Sequence, residues 1–183
     1  MDRNIARPSE TNLLNRIRIE TPLGWMSAVF SPKGLCLLEF EGQKHLDSEL
    51  KAVAFYYHAD GFTAKETGET QNLRRQLDGY FSGKRQNFDL PLDLVGTPFQ
   101  KKVWHILQTI PYGETRSYKQ QSEMSGNPKA VRAVAAANGA NKISIIVPCH
   151  RVIGSDGSLT GYAGGLPRKQ ALLALESGNA SLF

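Results

Sequence analysis

One stretch constrains the fold of this chain more than any other: Val147-Pro148-Cys149-His150-Arg151-Val152-Ile153. An apolar run, Ile143-Ser144-Ile145-Ile146-Val147, leads into it, and Gly154 follows. A run of this length rich in β-branched residues predicts a buried strand. Pro148 has no N–H to give a sheet ladder, so the strand is expected to stop there. Cys149 then falls where a buried strand turns over into a loop, a place that holds a nucleophile still and leaves it reachable. The stretch sets one of only two cysteines directly beside one of only four histidines.

With 183 residues, 40% hydrophobic and 21% charged, the chain can bury a substantial core as one compact domain or two small ones. No apolar segment approaches the roughly 20 residues that span a bilayer. Met1-Asp2-Arg3-Asn4 lacks signal-peptide character, so a cytoplasmic protein is expected. Two cysteines make no disulfide framework, and no Cys/His set has zinc spacing, so no metal is expected. The net charge of +5 is uneven. Residues 1–95 hold 12 Lys+Arg against 13 Asp+Glu, a net of −1, while 96–183 hold 10 against 4, a net of +6. The basic half is the one that carries Cys149, which points to an anionic partner such as nucleic acid. A solvated basic face accounts for the charge equally well.

Along the chain, residues 1–12 are expected to be a loose lead-in. Arg16–Ile19, Trp25–Phe30 and Leu35–Phe40 predict a three-stranded antiparallel meander, with Cys36 a small buried hydrophobe in its last strand. A helix is expected over 44–58. Leu73, Leu77, Tyr80 and Phe81 fall on one face of another. Phe88–Leu92 alternates but contains Pro91, predicting an edge strand or extended connection. His45 and His58 stand alone and are expected at the surface. Gly96 marks a boundary between domains 1–95 and 96–183. Thr97-Pro98-Phe99-Gln100 is a capping box that opens a helix with a broad apolar face, and Ser117-Tyr118-Lys119-Gln120 is a second. Asn127-Pro128 predicts a third helix start, with the helix running from Lys129 to about Asn138. The two short helices around Gly126-Asn127 form a candidate helix-turn-helix. The second is thin, built on Ala130, Ala133, Ala135, Ala136 and Ala137, with Arg132 projecting. Gly161-Tyr162-Ala163-Gly164-Gly165 lacks the lysine of a phosphate loop. A closing helix spans Pro167 to Glu176.

A thiolate is the reactive form of cysteine and needs a base or a positive environment, so a lowered pKa is expected for Cys149. His150 is the adjacent candidate base. Glu176 is the first candidate to hold its imidazole, with Glu114, Glu123 and Asp156 as alternatives. Such a site supports acyl transfer through a thioester, which turns over, or alkyl transfer to sulfur, which consumes the protein. The basic half and the thin helix favour a nucleic-acid substrate and hence alkyl transfer.

Pro148-Cys149-His150-Arg151-Val152-Ile153 resembles the active-site motif of the O6-alkylguanine-DNA alkyltransferases, the methylated-DNA-protein-cysteine methyltransferases. The resemblance extends over Thr97–Gln100 with Val103-Trp104, Ile110–Gly113, Ser117-Tyr118, Gly126–Val134, Asn141, Gly161–Leu166 and Lys169–Glu176. It implies an α+β fold: an N-terminal antiparallel sheet with helices, ribonuclease-H-like, and a mostly helical winged helix-turn-helix domain that carries the cysteine. It implies irreversible transfer of an alkyl group from guanine O6, or from thymine O4, in duplex DNA, with the nucleotide flipped out. No cofactor, obligate protein partner or membrane is implied, and the protein is expected to be a monomer.

By the same resemblance, Cys149 is the acceptor, His150 takes its proton through a water, and Glu176 orients His150. Tyr118 hydrogen-bonds guanine N3 and Asn141 braces the turn. Arg132 is the finger that replaces the flipped nucleotide. Lys129, Ala130, Ala133, Ala136 and Arg151 face DNA, and Val152, Tyr162, Ala163 and Gly164 form the substrate pocket. Two departures stand out: Lys142 where relatives often have proline, and a polar Gln120–Met124 in the first helix.

Overall fold

The computed structural model describes residues 11–178, so the expected lead-in lies almost wholly outside the described residues. The meander forms as β1 (Leu13–Ile19), β2 (Met26–Ser31) and β3 (Gly34–Phe40). β1 pairs antiparallel with β2 from Asn15 opposite Phe30 to Ile19 opposite Met26. The helix expected over 44–58 is α1 (Leu46–Tyr56). A short strand that the alternation did not signal, β4 (Gly61–Thr63), adds in parallel to the other edge of β1, giving the order β3-β2-β1-β4. At three residues it is too short to show a period. α2 (Gly68–Phe81) opens on a capping box between Thr67 and Thr70 and buries Leu73, Leu77, Tyr80 and Phe81, as their spacing predicts.

Both faces of β2 and β3 are covered, so every residue of the two strands is buried. α1 packs Leu46, Leu50 and Val53 against Val29, Cys36 and Leu37 on one side. The other side meets α2 and the second half of the chain. Cys36 is the expected buried thiol: its Sγ bonds Val29 O at 3.3 Å, and burial pushes its pKa up to about 12. Phe88–Leu92 runs extended beside β3, with Leu35 N donating to Pro91 O and Asp93 N to Leu35 O. Gly34 (φ +144) permits this approach, because a Cβ there would lie 2.3 Å from Pro91 O.

In the second half, both expected capping boxes form and start α3 (Pro98–Gln108) and α4 (Tyr118–Met124). α4 ends in a Schellman motif around Gly126 (φ +79): Gly126 N donates to Glu123 O and Asn127 N to Ser122 O. α5 (Val131–Gly139) begins two residues later than expected, with Ala130 as its N-cap. Asn127 instead makes an Asx turn, its Oδ1 accepting from Lys129 N, so Lys129 lies in the turn. The polar first helix is accommodated by a reciprocal amide pair between α4 and α5. Gln121 Nε2 donates to Asn138 Oδ1 at 3.0 Å and Asn138 Nδ2 to Gln121 Oε1 at 2.6 Å, both side chains buried. After a 3-10 turn at Cys149–Arg151, β6 (Val152–Ile153) pairs in parallel with β5 (Arg116–Ser117), and α6 (Leu166–Glu176) is the last helix among the described residues. No helix among the described residues is long and apolar enough to cross a membrane.

The two halves share one core, in which Met26, Phe40, Leu77 and Tyr80 meet Trp104, Leu107, Val147 and Leu172. Trp104 is its largest fully buried side chain. Its indole N–H donates to Ala137 O at 2.8 Å, and Lys142 Nζ lies 5.6 Å from its ring centroid. Gly96 lies flat against the same ring, where a Cβ would sit 2.4 Å from Trp104 Cη2. Gly96→Ala is therefore expected to destabilise by about 1–3 kcal/mol through overpacking, measured by urea unfolding. A loss under about 0.5 kcal/mol would show that the indole can move aside.

Candidate active site

The apolar run before Cys149 is buried, but it is not the strand its composition predicts. Only Ile143 makes a ladder contact, a parallel bridge to Leu38 of β3. The chain then folds on itself. Ile146 N donates to Ser144 O at 2.9 Å around Ile145, whose φ of +72° is rare for a β-branched residue. Cys149 N donates to Val147 O at 2.8 Å around Pro148 (φ −83, ψ 63), an inverse γ-turn. Asn141 fills the inside of this double turn. Its Oδ1 accepts from Ile143 N at 3.0 Å, and its Nδ2 reaches Val147 O at 2.8 Å and Cys149 Sγ at 3.3 Å. β3 holds the turn from outside: Leu38 N donates to Lys142 O, Ser144 N to Leu38 O, and Ser144 Oγ lies 3.1 Å from both oxygens of buried Glu39.

Beyond Cys149 the buried polar centre is Glu176. His150 Nε2 lies 2.8 Å from its Oε1, so among the sequence candidates Glu176 is the one that holds the imidazole. A carboxylate can only accept here, so Nε2 carries the proton and Nδ1 keeps the lone pair of the neutral ring. Nδ1 is buried with no hydrogen-bond partner among the described residues. Arg151 grips the same carboxylate through Nε (2.8 Å) and Nη2 (3.0 Å) and donates to Ile110 O through Nη1 (2.6 Å). Arg151 was expected to face DNA; it is buried in this ion pair and does not. The pair also offsets the cost of an acidic group in the last turn of α6, against the helix dipole. Tyr80 Oη at 2.7 Å and Gly113 N at 3.3 Å complete the shell of Glu176.

Cys149 itself is 9% exposed and lines a cavity of about 510 Å³. One wall is α5, through Val131, Arg132, Ala135, Asn138 and Gly139. The other is the 160–163 loop with Tyr118, whose Oη donates to Thr160 O at 3.1 Å. Tyr162 and Ala163 line it as expected; Val152 and Gly164 do not. Val152 is fully buried, its carbonyl taken by Lys169 Nζ at 2.6 Å, and Gly164 packs against the Tyr162 and Phe40 rings. On the outer face of α5, Arg132, Ala133 and Ala136 are exposed, as is Lys129 before it. Three contributors were missed from sequence. His45, dismissed as a lone surface residue, is exposed but lines the cavity from the first half of the chain. Lys169 is fully buried, its Nζ on the carbonyls of Val152 and Thr160. Tyr80 counted only as part of an apolar helix face. Among the described residues, no cluster of three or more His, Cys, Asp or Glu could hold a metal ion.

The electrostatics reverse one expectation. Burial pushes the Cys149 thiol up to about 11, against the smaller opposing effects of the Asn141 hydrogen bond and the Lys169 charge. Among the described residues no cation hydrogen-bonds the sulfur, for Arg151 is turned to Glu176 and Lys169 to carbonyls. Burial likewise lowers His150, helped by the charges of Arg151 and Lys169 and opposed by Glu176, which keeps the imidazole neutral at pH 7. Glu176 is held down at about 2: burial alone would raise it, but hydrogen bonds and charge from His150 and Arg151 outweigh that. The resting site is a thiol beside a neutral imidazole backed by an ionised carboxylate.

A helix-turn-helix whose second helix walls a pocket lined by a cysteine fits a DNA-directed protein with thiol chemistry. Residues 98–178 match the family described as 6-O-methylguanine DNA methyltransferase, DNA binding domain, and residues 17–94 match that family's ribonuclease-like domain. The chain is 51% identical over 154 residues to a methylated-DNA–protein-cysteine methyltransferase of Mycolicibacterium paratuberculosis, covering 81% of this chain and 89% of the relative. It is 48% identical to that of Methanosarcina barkeri, covering 88% and 96%. Its backbone matches a crystal structure of Mycobacterium tuberculosis OGT in complex with DNA with a TM-score of 0.79 at 42% identity, over 92% of this chain and 96% of that one. The protein belongs to the methylated-DNA–protein-cysteine methyltransferase family.

The raised thiol pKa sets a measurable reactivity. Iodoacetamide labelling of native Cys149 is expected to be slow near pH 7.5 and to keep rising beyond about pH 9, as peptide mass spectrometry can follow. Labelling that levels off below about pH 8 would mean that a thiolate is already present at neutral pH.

Proposed function

We propose that this protein repairs DNA by moving an alkyl group from guanine O6 in duplex DNA onto Cys149, once per molecule. The observation that carries this reading is the cavity lined by Cys149 and Arg132, beside which Arg132, Ala133 and Ala136 are exposed on α5. An O6-alkyl group inside a stacked duplex cannot reach a sulfur so enclosed, so the nucleotide must flip, at a cost of roughly a few kcal/mol. Ala133 and Ala136 let the backbone of α5 approach the minor groove closely, with Lys129 and Ala130 at its start. Arg132, at the cavity edge, fills the space that the nucleotide leaves. The complex of the M. tuberculosis relative with DNA supports this partner.

In the transfer step the sulfur forms a bond to the alkyl carbon as the carbon–O6 bond breaks, and the electron pair moves into the purine. The thiol proton passes through a water to Nδ1 of His150, and Glu176 stabilises the imidazolium. Tyr118 donates to guanine N3, where negative charge grows. Asn141 holds the sulfur in line. The thioether product does not hydrolyse, so no step regenerates the thiol. Residues 96–183 act as the DNA-binding alkyltransferase domain, with 1–95 as an N-terminal α/β domain. The protein works as a cytoplasmic monomer without a cofactor.

Incubation with a duplex carrying O6-methylguanine is expected to end at one methyl per protein, mapped to Cys149 by peptide mass spectrometry. Repair of more than one base per protein, or a methyl on Cys36, would sink the proposal. Arg132→Ala is expected to slow repair of duplex DNA by about tenfold or more while sparing reaction with the free alkylated base. Equal losses on both substrates would remove Arg132 from flipping.

A further inference from the structure

Tyr80 lies on α2, in the half of the chain without the nucleophile, yet its hydroxyl ends 2.7 Å from Oε1 of Glu176, 96 positions away. That oxygen is the one that accepts from His150 Nε2. Tyr80 is fully buried, and its ring is fixed edge-on against Phe81 and Tyr112 with Phe88 alongside. The phenol can only donate to this carboxylate, and burial and the Glu176 charge push its pKa far above the usual tyrosine range, so the proton stays.

Resting on the function proposed above, we infer that Tyr80 is a positioning residue for alkyl transfer, by which the N-terminal half sets how strongly Glu176 attracts the proton of His150. A hydrogen bond to Oε1 spreads the carboxylate charge and leaves less of it facing the imidazole. It also stops the carboxylate from rotating away from the ring. His150 therefore stays neutral at rest and takes a proton only when the thiol releases one. Among the described residues, the other charged or titratable groups that act on the pair are Arg151 on the 3-10 turn, Lys169 on α6 and Tyr112 in the 110–113 loop, and these stay in place when the hydroxyl is removed.

Tyr80→Phe keeps the ring and its packing. With one donor fewer, Oε1 holds the imidazolium more strongly and the proton affinity of His150 rises. The acid limb of the transfer rate then moves to higher pH. Methyl transfer, followed as labelled Cys149 from both duplex DNA and free O6-methylguanine, is expected to fall roughly tenfold near pH 6 and to come within about twofold of wild type near pH 9. The affinity for duplex is expected to be unchanged. NMR of the His150 ring should show its titration moved upward. Tyr112→Phe, whose hydroxyl reaches Leu175 O and not Glu176, is the control and should leave the profile in place. A loss equal at every pH, or a His150 titration that stays put, would overturn the inference. Failure of wild type to methylate Cys149 would instead overturn the function on which it rests.

Discussion

The buried negative charge of Glu176 is what the structure around the active site is built to accommodate. An isolated carboxylate in an apolar core would take up a proton. Here five donors converge on it: His150 Nε2, two nitrogens of Arg151, Tyr80 Oη and Gly113 N. They come from the 3-10 turn, from α2 and from the 110–113 loop, so one carboxylate ties the nucleophile's turn to both halves of the chain. Losing any partner leaves the others crowded around an undercompensated charge, which makes the cluster stiff as well as ionised.

That stiffness explains how a thiol with a raised pKa suits its task. A standing thiolate would react with any electrophile in reach. Burial keeps the sulfur protonated and nearly enclosed, and the imidazole next to it in sequence is neutral. On the function proposed above, nucleophilicity appears only when an alkylated base fills the cavity and the thiol proton is taken up. The double γ-turn serves the same end, for it sets Sγ against the Asn141 amide while β3 pins the turn from behind. The strain at Ile145 is held by buried packing on every side.

Much of this was legible in local pattern. The capping boxes at Thr97–Gln100 and Ser117–Gln120 formed as expected because both partners lie within four residues, where no tertiary contact competes. The meander and the apolar face of α2 followed from their periods. Asn127-Pro128 misled by two residues, since an Asx turn and an Asx cap share one signature. The run Ile143–Val147 misled more seriously. Its composition records burial, and burial does not distinguish a strand from a turn packed among strands. Arg151 and Tyr80 were misplaced or overlooked because their partner lies 25 and 96 positions off.

By itself the sequence determined the chemical inventory: one cysteine beside one histidine, a basic half, a thin helix with a projecting arginine, and a glutamate on the closing helix. Those follow from composition and short-range spacing, which need no coordinates. Only the tertiary structure decided protonation and direction. It buried the thiol and so raised its pKa, and it turned Arg151 inward. It brought His45 from the first half to the cavity rim and set the Tyr80 hydroxyl on the carboxylate behind the histidine. Each of these depends on which groups share a low-dielectric interior, and that is a property of long-range packing that no local pattern encodes.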